Sequence, residues 1–208
     1  MTLVKICGIT NVEDAIQAAT TGANLLGFVF AESPRRVDVQ TVKHIQRVLA
    51  GDVKTVGVFT EESDDVLNIM DECALTYAQL HGNQSEEFAR RLGAEKVIRV
   101  ARVKDAAGVD HLAAFREAAF YLLDTYVGGV AGGTGETFNW DLVARAKSLE
   151  KPMFLSGGLN PENVGEAIRV ARPFAVDASS GLEQSPGKKD HLKVKEFVDH
   201  VRKADNAS

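Results

Sequence analysis

Leu3-Val4-Lys5-Ile6-Cys7-Gly8 is the stretch from which the rest of the chain can be read. Val4 and Ile6 are the β-branched residues that strands prefer. Side chains alternate across a strand, so Lys5 and Cys7 share one face while Val4 and Ile6 share the other. A cation and a thiol pack poorly on an inner face, but they make sense where the C-terminal end of the strand meets a pocket. Gly8 lets the chain turn, and Asn11 can cap the helix that follows. The expectation is a ring of strands that begins and ends here, with Cys7 at its rim.

Seven more short apolar stretches repeat the pattern: Leu25–Phe30, Thr55–Phe59, Tyr77–Leu80, Lys96–Val100, Phe120–Asp124, Met153–Ser156 and Phe174–Asp177. Between them lie segments with helical periodicity, such as Val12–Thr21, Val39–Leu49, Val66–Cys73 and Glu86–Leu92. Asn160-Pro161-Glu162-Asn163 is a helix start, with Asn as cap and Pro at the first helical position. Gly22, Gly51 and Gly93 stand where helices should stop. Strict alternation of strand and helix implies a parallel sheet with helical crossovers. Eight such units fit the 208 residues, which predicts a single-domain α/β chain, a (β/α)8 barrel over 1–208. A doubly wound open sheet is the alternative, but no G-x-G-x-x-G follows an early strand.

The composition is that of an ordinary globule, 45% apolar and 25% charged. A net charge of −5 argues against nucleic acid or an anionic membrane as the main partner, though not against a local anion site. Cys7 and Cys73 form no metal or redox pair, the N-terminus lacks a basic-then-apolar leader, and the longest apolar run is too short to cross a bilayer. A cytoplasmic protein with reduced thiols and no metal is expected. Monomer and homodimer both stay open, because a barrel's outer helices can be solvated or paired.

Chemistry concentrates at strand ends. Ser156-Gly157-Gly158 closes the seventh strand, and Ala178-Ser179-Ser180-Gly181 follows the eighth, at the start of a short extra helix. Small residues leave backbone N–H groups free to approach an anion, and barrels often bind phosphate at this place. Cys7 lies two residues from Lys5, and a nearby cation favours the thiolate, a base or nucleophile. Cys73 sits on a helix's apolar face and reads as inert. Asp124 ends an apolar strand, where a carboxyl reads as catalytic. Cys7 and Asp124 would then flank one substrate across the mouth, as acid–base chemistry requires. Arg35 and Arg36 follow strand two, and an arginine there can fork onto a carboxylate. His81 follows strand four as a candidate pocket donor. Asp177, beside the phosphate turns, is suited to orienting a substrate amine or hydroxyl, or to capping the short helix. The glycine-rich stretch Thr125–Phe138 has the length of a functional lid. The Gly187–His191 run reads as a solvated helix start.

These motifs together resemble the phosphoribosylanthranilate isomerase family. The resemblance is carried by Lys5-Ile6-Cys7-Gly8-Ile9-Thr10, Ser33-Pro34-Arg35, Gln79-Leu80-His81-Gly82, Leu122-Leu123-Asp124-Thr125, Gly132-Gly133-Thr134-Gly135, Leu155–Asn163 and Val176–Glu183, in order along nearly the whole chain. It implies a (β/α)8 barrel acting in tryptophan biosynthesis on a small phosphosugar, by an Amadori rearrangement that uses no cofactor. It further implies Cys7 as general base, Asp124 as general acid and Arg35 as the anthranilate-binding arginine. Gly157, Gly158, Ser179 and Ser180 fall in its phosphate loops, and His81 and Asp177 at its other pocket positions. Glu136 stands where the family often has Lys or Gln. Two rivals are a different phosphosugar barrel enzyme, such as a histidine-pathway isomerase, for which an aspartate is expected at position 7, or a Schiff-base lyase using Lys5, and a non-catalytic sensor of a phosphorylated metabolite.

Overall fold

A computed structural model describes residues 1–49, 51–102, 106–124, 140–149 and 151–207. Eight parallel strands hydrogen-bond in sequence order and the eighth pairs with the first, which closes a barrel. The order is β1 (Leu3–Cys7), α1 (Val12–Thr21), β2 (Leu25–Val29), α2 (Val39–Val48), β3 (Lys54–Phe59), α3 (Asp64–Glu72), β4 (Tyr77–Leu80) and α4 (Glu86–Leu92). It continues with β5 (Val97–Arg102), α5 (Ala106–Ala114), β6 (Phe120–Asp124), α6 (Trp140–Lys147), β7 (Met153–Ser156), α7 (Pro161–Ala171) and β8 (Ala175–Ala178). A 3-10 turn (Ser180–Leu182) and a small antiparallel hairpin, β9 (Glu183–Ser185) with β10 (Lys188–Lys189), precede α8 (His191–Asn206).

All eight expected strands are present; the first, fourth, sixth and seventh have the expected bounds, and the other four are displaced by one or two residues, as fraying ends allow. Lys96 belongs to a 3-10 turn rather than to the fifth strand. Helix α3 starts two residues before the expected Val66. Ser63 is extended at its cap, and Asp64 and Asp65 favour a helix N-terminus. The short element after β8 is a single 3-10 turn rather than an α-helix. The hairpin is an addition that no periodicity announced. The Thr125–Phe138 stretch, with Glu136, lies outside the described residues.

Local chemistry explains the helix starts. Asn11 Oδ1 accepts from Asp14 N at 2.8 Å. Asn160 and Asn163 cap reciprocally: Asn160 Oδ1 accepts from Asn163 N, and Asn163 Oδ1 from Asn160 N. A cap of this kind contributes about 1 kcal/mol.

The core has two layers. Inside the barrel pack Leu25, Val56, Ile98, Val100, Leu122, Phe154 and Ala175. Their floor is aromatic, with Phe120 edge-on to Tyr77 at 5.4 Å and to Phe154 at 5.6 Å. The opposite strand faces, with residues such as Val4, Ile6, Leu26 and Phe28, pack under the helices. Each such side chain contributes roughly 1.5–3 kcal/mol by leaving water. Nearer the C-terminal mouth, Lys5, Gln79 and Asp177 are buried polar residues. At the opposite end, Thr2 N donates to both carboxylate oxygens of Asp205, at 3.0 and 2.9 Å, and Arg202 Nη1 donates to Thr2 O at 2.7 Å. Among the described residues no helix is long and apolar enough to cross a membrane.

Candidate active site

A hollow of about 390 Å³ opens where the strands end. Cys7 from β1, Arg35 from the loop after β2, His81 after β4, Asp124 from β6 and Asp177 from β8 all line it. So do the turns Ser156–Leu159 and Ala178–Gly181. The alternation of β1 produces this placement: Lys5 and Cys7 point inward, Cys7 one step nearer the mouth.

Lys5 is fully buried, and its Nζ donates to Asp177 Oδ1 at 2.7 Å. Asp177 also accepts from Ser156 Oγ at 3.2 Å. Burial alone would push the ammonium down, but the Asp177 carboxylate and then Cys7 outweigh it, so Lys5 titrates above its ordinary range. The sequence suggested that Lys5 would favour a Cys7 thiolate. In the structure burial of Cys7 dominates and pushes the thiol up, Lys5 and Lys189 oppose this, and Asp177 adds to it. Burial thus outweighs the cation beside the thiol, and that cation also serves Asp177.

Asp177 is therefore engaged by its own strand neighbour, with which it is in register, and it caps no helix. Removing one partner of a buried pair leaves the other charge uncompensated, at a cost of about 3–5 kcal/mol. Lys5→Met should lose that much in urea unfolding, and adding Asp177→Asn should restore part of it. Equal stability of Lys5→Met and the wild type would contradict this account.

Asp124 ends β6, and its Oδ2 lies 3.7 Å from His81 Nε2, beyond hydrogen-bond length. Burial pushes the imidazole down, Asp124 opposes this and Arg102 adds to it; the net is a lowering. His81 Nε2 is buried without a hydrogen-bond partner among the described residues, so it is available to a ligand. The loop carrying it is braced by Gln84, which accepts from Gly82 N at 2.8 Å and donates to Phe59 O at 2.9 Å.

Arg35 faces the hollow, whereas Arg36 lines a separate recess with Phe30, Asp38 and Ile69. Arg35 makes a bidentate pair with Glu183, Nε and Nη2 each 2.7 Å from a carboxylate oxygen. That pair raises Arg35 above its ordinary value. Glu183 in turn accepts from Lys189 Nζ at 3.0 Å. Lys189 is fully buried, which corrects the expectation of a solvated run at 187–191.

The two glycine-containing turns meet each other. Gly157 and Gly158 have φ of +103° and +69°, a region that disfavours other residues. A Cβ at Gly181 would stand 2.2 Å from Leu159 O, so the turn after β8 can lie against the turn after β7 only without a side chain there. Ser179 and Ser180 sit on this shared rim.

Sequence reasoning missed Arg102, Glu183 and Lys189. Arg102 is in register with Asp124 and lines the same hollow; a charge ending an apolar strand was a usable signal, the one that singled out Asp124. Glu183 and Lys189 gave no comparable signal. Among the described residues no group of three His, Cys, Asp or Glu is placed to hold a metal.

A closed eight-stranded barrel with a thiol, a carboxyl, an imidazole and paired glycine turns at its mouth defines a class: (β/α)8-barrel enzymes that act on small phosphorylated substrates. The model of the family described as N-(5'-phosphoribosyl)anthranilate (PRA) isomerase matches residues 4–200. A relative of that name from Geotalea uraniireducens is 46% identical, over 97% of this chain and 99% of its own. One from Moorella thermoacetica is 44% identical, over 99% and 92%. The crystal structure of phosphoribosyl anthranilate isomerase from Thermotoga maritima superposes with a TM-score of 0.90 at 40% identity, covering 98% of this chain and 100% of that one. Another, at TM-score 0.87 and 39% identity with the same coverage, is a complex with reduced 1-(o-carboxyphenylamino)-1-deoxyribulose 5-phosphate. The chain belongs to the N-(5'-phosphoribosyl)anthranilate isomerase family. It is an aldose–ketose isomerase of tryptophan biosynthesis acting on a small phosphosugar.

Proposed function

We propose that Asp124 and Cys7 carry out the Amadori rearrangement as general acid and general base, between a phosphate site at Gly157, Gly158, Ser179 and Ser180 and a carboxylate site at Arg35. The observation that carries this reading is that one hollow contains all of these groups. Asp124 gives its proton to the furanose ring oxygen while the C1′–O bond breaks, and the nitrogen lone pair forms a protonated Schiff base. Cys7 removes the C2′ proton, and the electrons of that bond move toward the iminium to give an enolamine. Proton transfer from the C2′ hydroxyl side to C1′ then yields the ketone.

The elevated thiol fits this order of events. A cationic iminium beside Cys7 adds positive charge to that of Lys5 and Lys189, and so favours the thiolate when it is needed. His81 supports Asp124 by accepting a hydrogen bond from the sugar or donating one to it. Asp177 acts through Lys5, holding the ammonium in the Cys7 layer, and also lines the hollow, where it can orient a substrate amine or hydroxyl.

Arg35 has Nη1 left for a carboxylate after its bond to Glu183. Hydrogen bonds between charged groups contribute about 1.5–3 kcal/mol. Arg35→Ala should therefore weaken the reduced product analogue roughly 10- to 100-fold and raise KM more than it lowers kcat. Arg35→Lys, which keeps charge but not the fork, should fall between. Unchanged affinity in Arg35→Ala would remove Arg35 from the carboxylate site. The cytoplasm is the proposed location. A Thermotoga maritima relative is described as dimeric; monomer and homodimer are the two assemblies proposed here, and sedimentation velocity separates them.

A further inference from the structure

Arg35 and the phosphate turn belong to different βα units, yet one buried group touches the supports of both. Lys189 Nζ donates to Glu183 Oε1 at 3.0 Å and to the Ser179 carbonyl at 3.2 Å. Glu183 holds Arg35 by two 2.7 Å bonds. The Glu183 and Lys189 side chains are 5% and 0% exposed. The hairpin that carries them is pinned from behind, since Lys189 N donates to Asp14 Oδ2 at 2.9 Å and Asp190 N to Leu182 O at 2.9 Å. Arg35 lies across Gly8, where a Cβ would be 2.6 Å from its Cδ and 3.0 Å from Ser179 Oγ.

Stability does not account for this cluster. Buried ion pairs are commonly no more stabilising than apolar residues of the same volume. Geometry accounts for it better: loops from separate units move independently, whereas a substrate anchored at two ends requires a fixed span between its anchors. We propose that Lys189 and Glu183 are positioning residues, a buried brace that sets the distance between the carboxylate-binding arginine and the phosphate turn. The proposal rests on the reading of Arg35 and the glycine turns given above.

The test compares three ligands in the wild type, Glu183→Gln, Lys189→Met and Arg35→Ala: the reduced product analogue, which has both ends, anthranilate alone and inorganic phosphate alone. A brace acts on the simultaneous fit. In Glu183→Gln and Lys189→Met, the loss of affinity for the two-ended ligand should exceed the product of the losses for the single-ended ligands by about 10-fold, and kcat/KM should fall roughly 10- to 100-fold. A purely structural role lowers the melting temperature but leaves the two-ended loss equal to that product. A two-ended loss no greater than the product overturns the brace. Arg35→Ala keeps the two questions apart: if it leaves anthranilate affinity intact, the carboxylate reading has failed and not the brace alone. Glu183→Gln changes volume little and carries the test by itself should Lys189→Met not fold.

Discussion

Cys7→Ala is expected to lower kcat by roughly three to four orders of magnitude, the upper part of the range for general acid–base catalysis, and to leave affinity for the reduced product analogue nearly unchanged. The thiol faces Lys5, Asp177, Lys189 and Arg35, and burial raises it against the two lysines. Burial thus works against the thiolate in the free enzyme. Each unit of pH below the thiol pKa reduces that form tenfold, so kcat/KM, which reports the free enzyme, should rise with pH over the neutral range. The cationic Schiff base stabilises the thiolate in the complex, so the corresponding limb in kcat should lie at lower pH. Cys7→Ser keeps the shape without the acidity and should be nearly as impaired as Cys7→Ala. Near-normal turnover by either variant, followed as loss of substrate fluorescence, would exclude Cys7 as the base.

Asp124→Asn is expected to cost a similar two to four orders of magnitude in kcat. An amide matches the carboxyl in shape and retains hydrogen bonding near His81, but it has no acidic proton for the ring oxygen. The two variants differ in which step they slow. A deuterium at C2′ distinguishes them: with Asp124→Asn, ring opening limits and the isotope effect on kcat falls toward unity. With Cys7→Ala, residual turnover is limited by proton abstraction and shows the full effect. A large C2′ isotope effect in Asp124→Asn would place Asp124 outside the ring-opening step.

The barrel was legible because its signals are local. The alternation in Leu3–Cys7 and the caps at Asn11 and Asn160 each need only neighbouring residues, and eight repetitions fix the architecture. The rim was legible for the same reason, as Cys7, Asp124 and the glycine turns all end strands. What escaped depends on partners far away in the chain. Lys5 near Cys7 suggested a thiolate; burial of Cys7 in the closed barrel raises the thiol instead, and Asp177, 172 residues from Lys5, adds to this while pairing with that ammonium. Of Arg35 and Arg36 the family resemblance singled out Arg35, and the local path of the chain, with Arg36 bridged beside Val29, turns Arg35 toward the mouth and Arg36 away. Lys189 lies in a two-residue strand, too short for any period, and its burial follows from Glu183, Ser179 and Asp14 together.

The contacts of Thr2 with Asp205 and Arg202 have a topological meaning. With β1 already paired to β8, residues 2 and 205 lie side by side at the end of the barrel remote from the hollow. The polypeptide is close to a circle with a single cut, and the position of that cut is arbitrary with respect to the chemistry. A short peptide could join the two ends and the chain could be opened in another bottom-face loop with the sheet unbroken, as permutation of domains with adjacent ends generally allows. A protein fused at either end would emerge from that same remote pole and leave the path of the substrate clear.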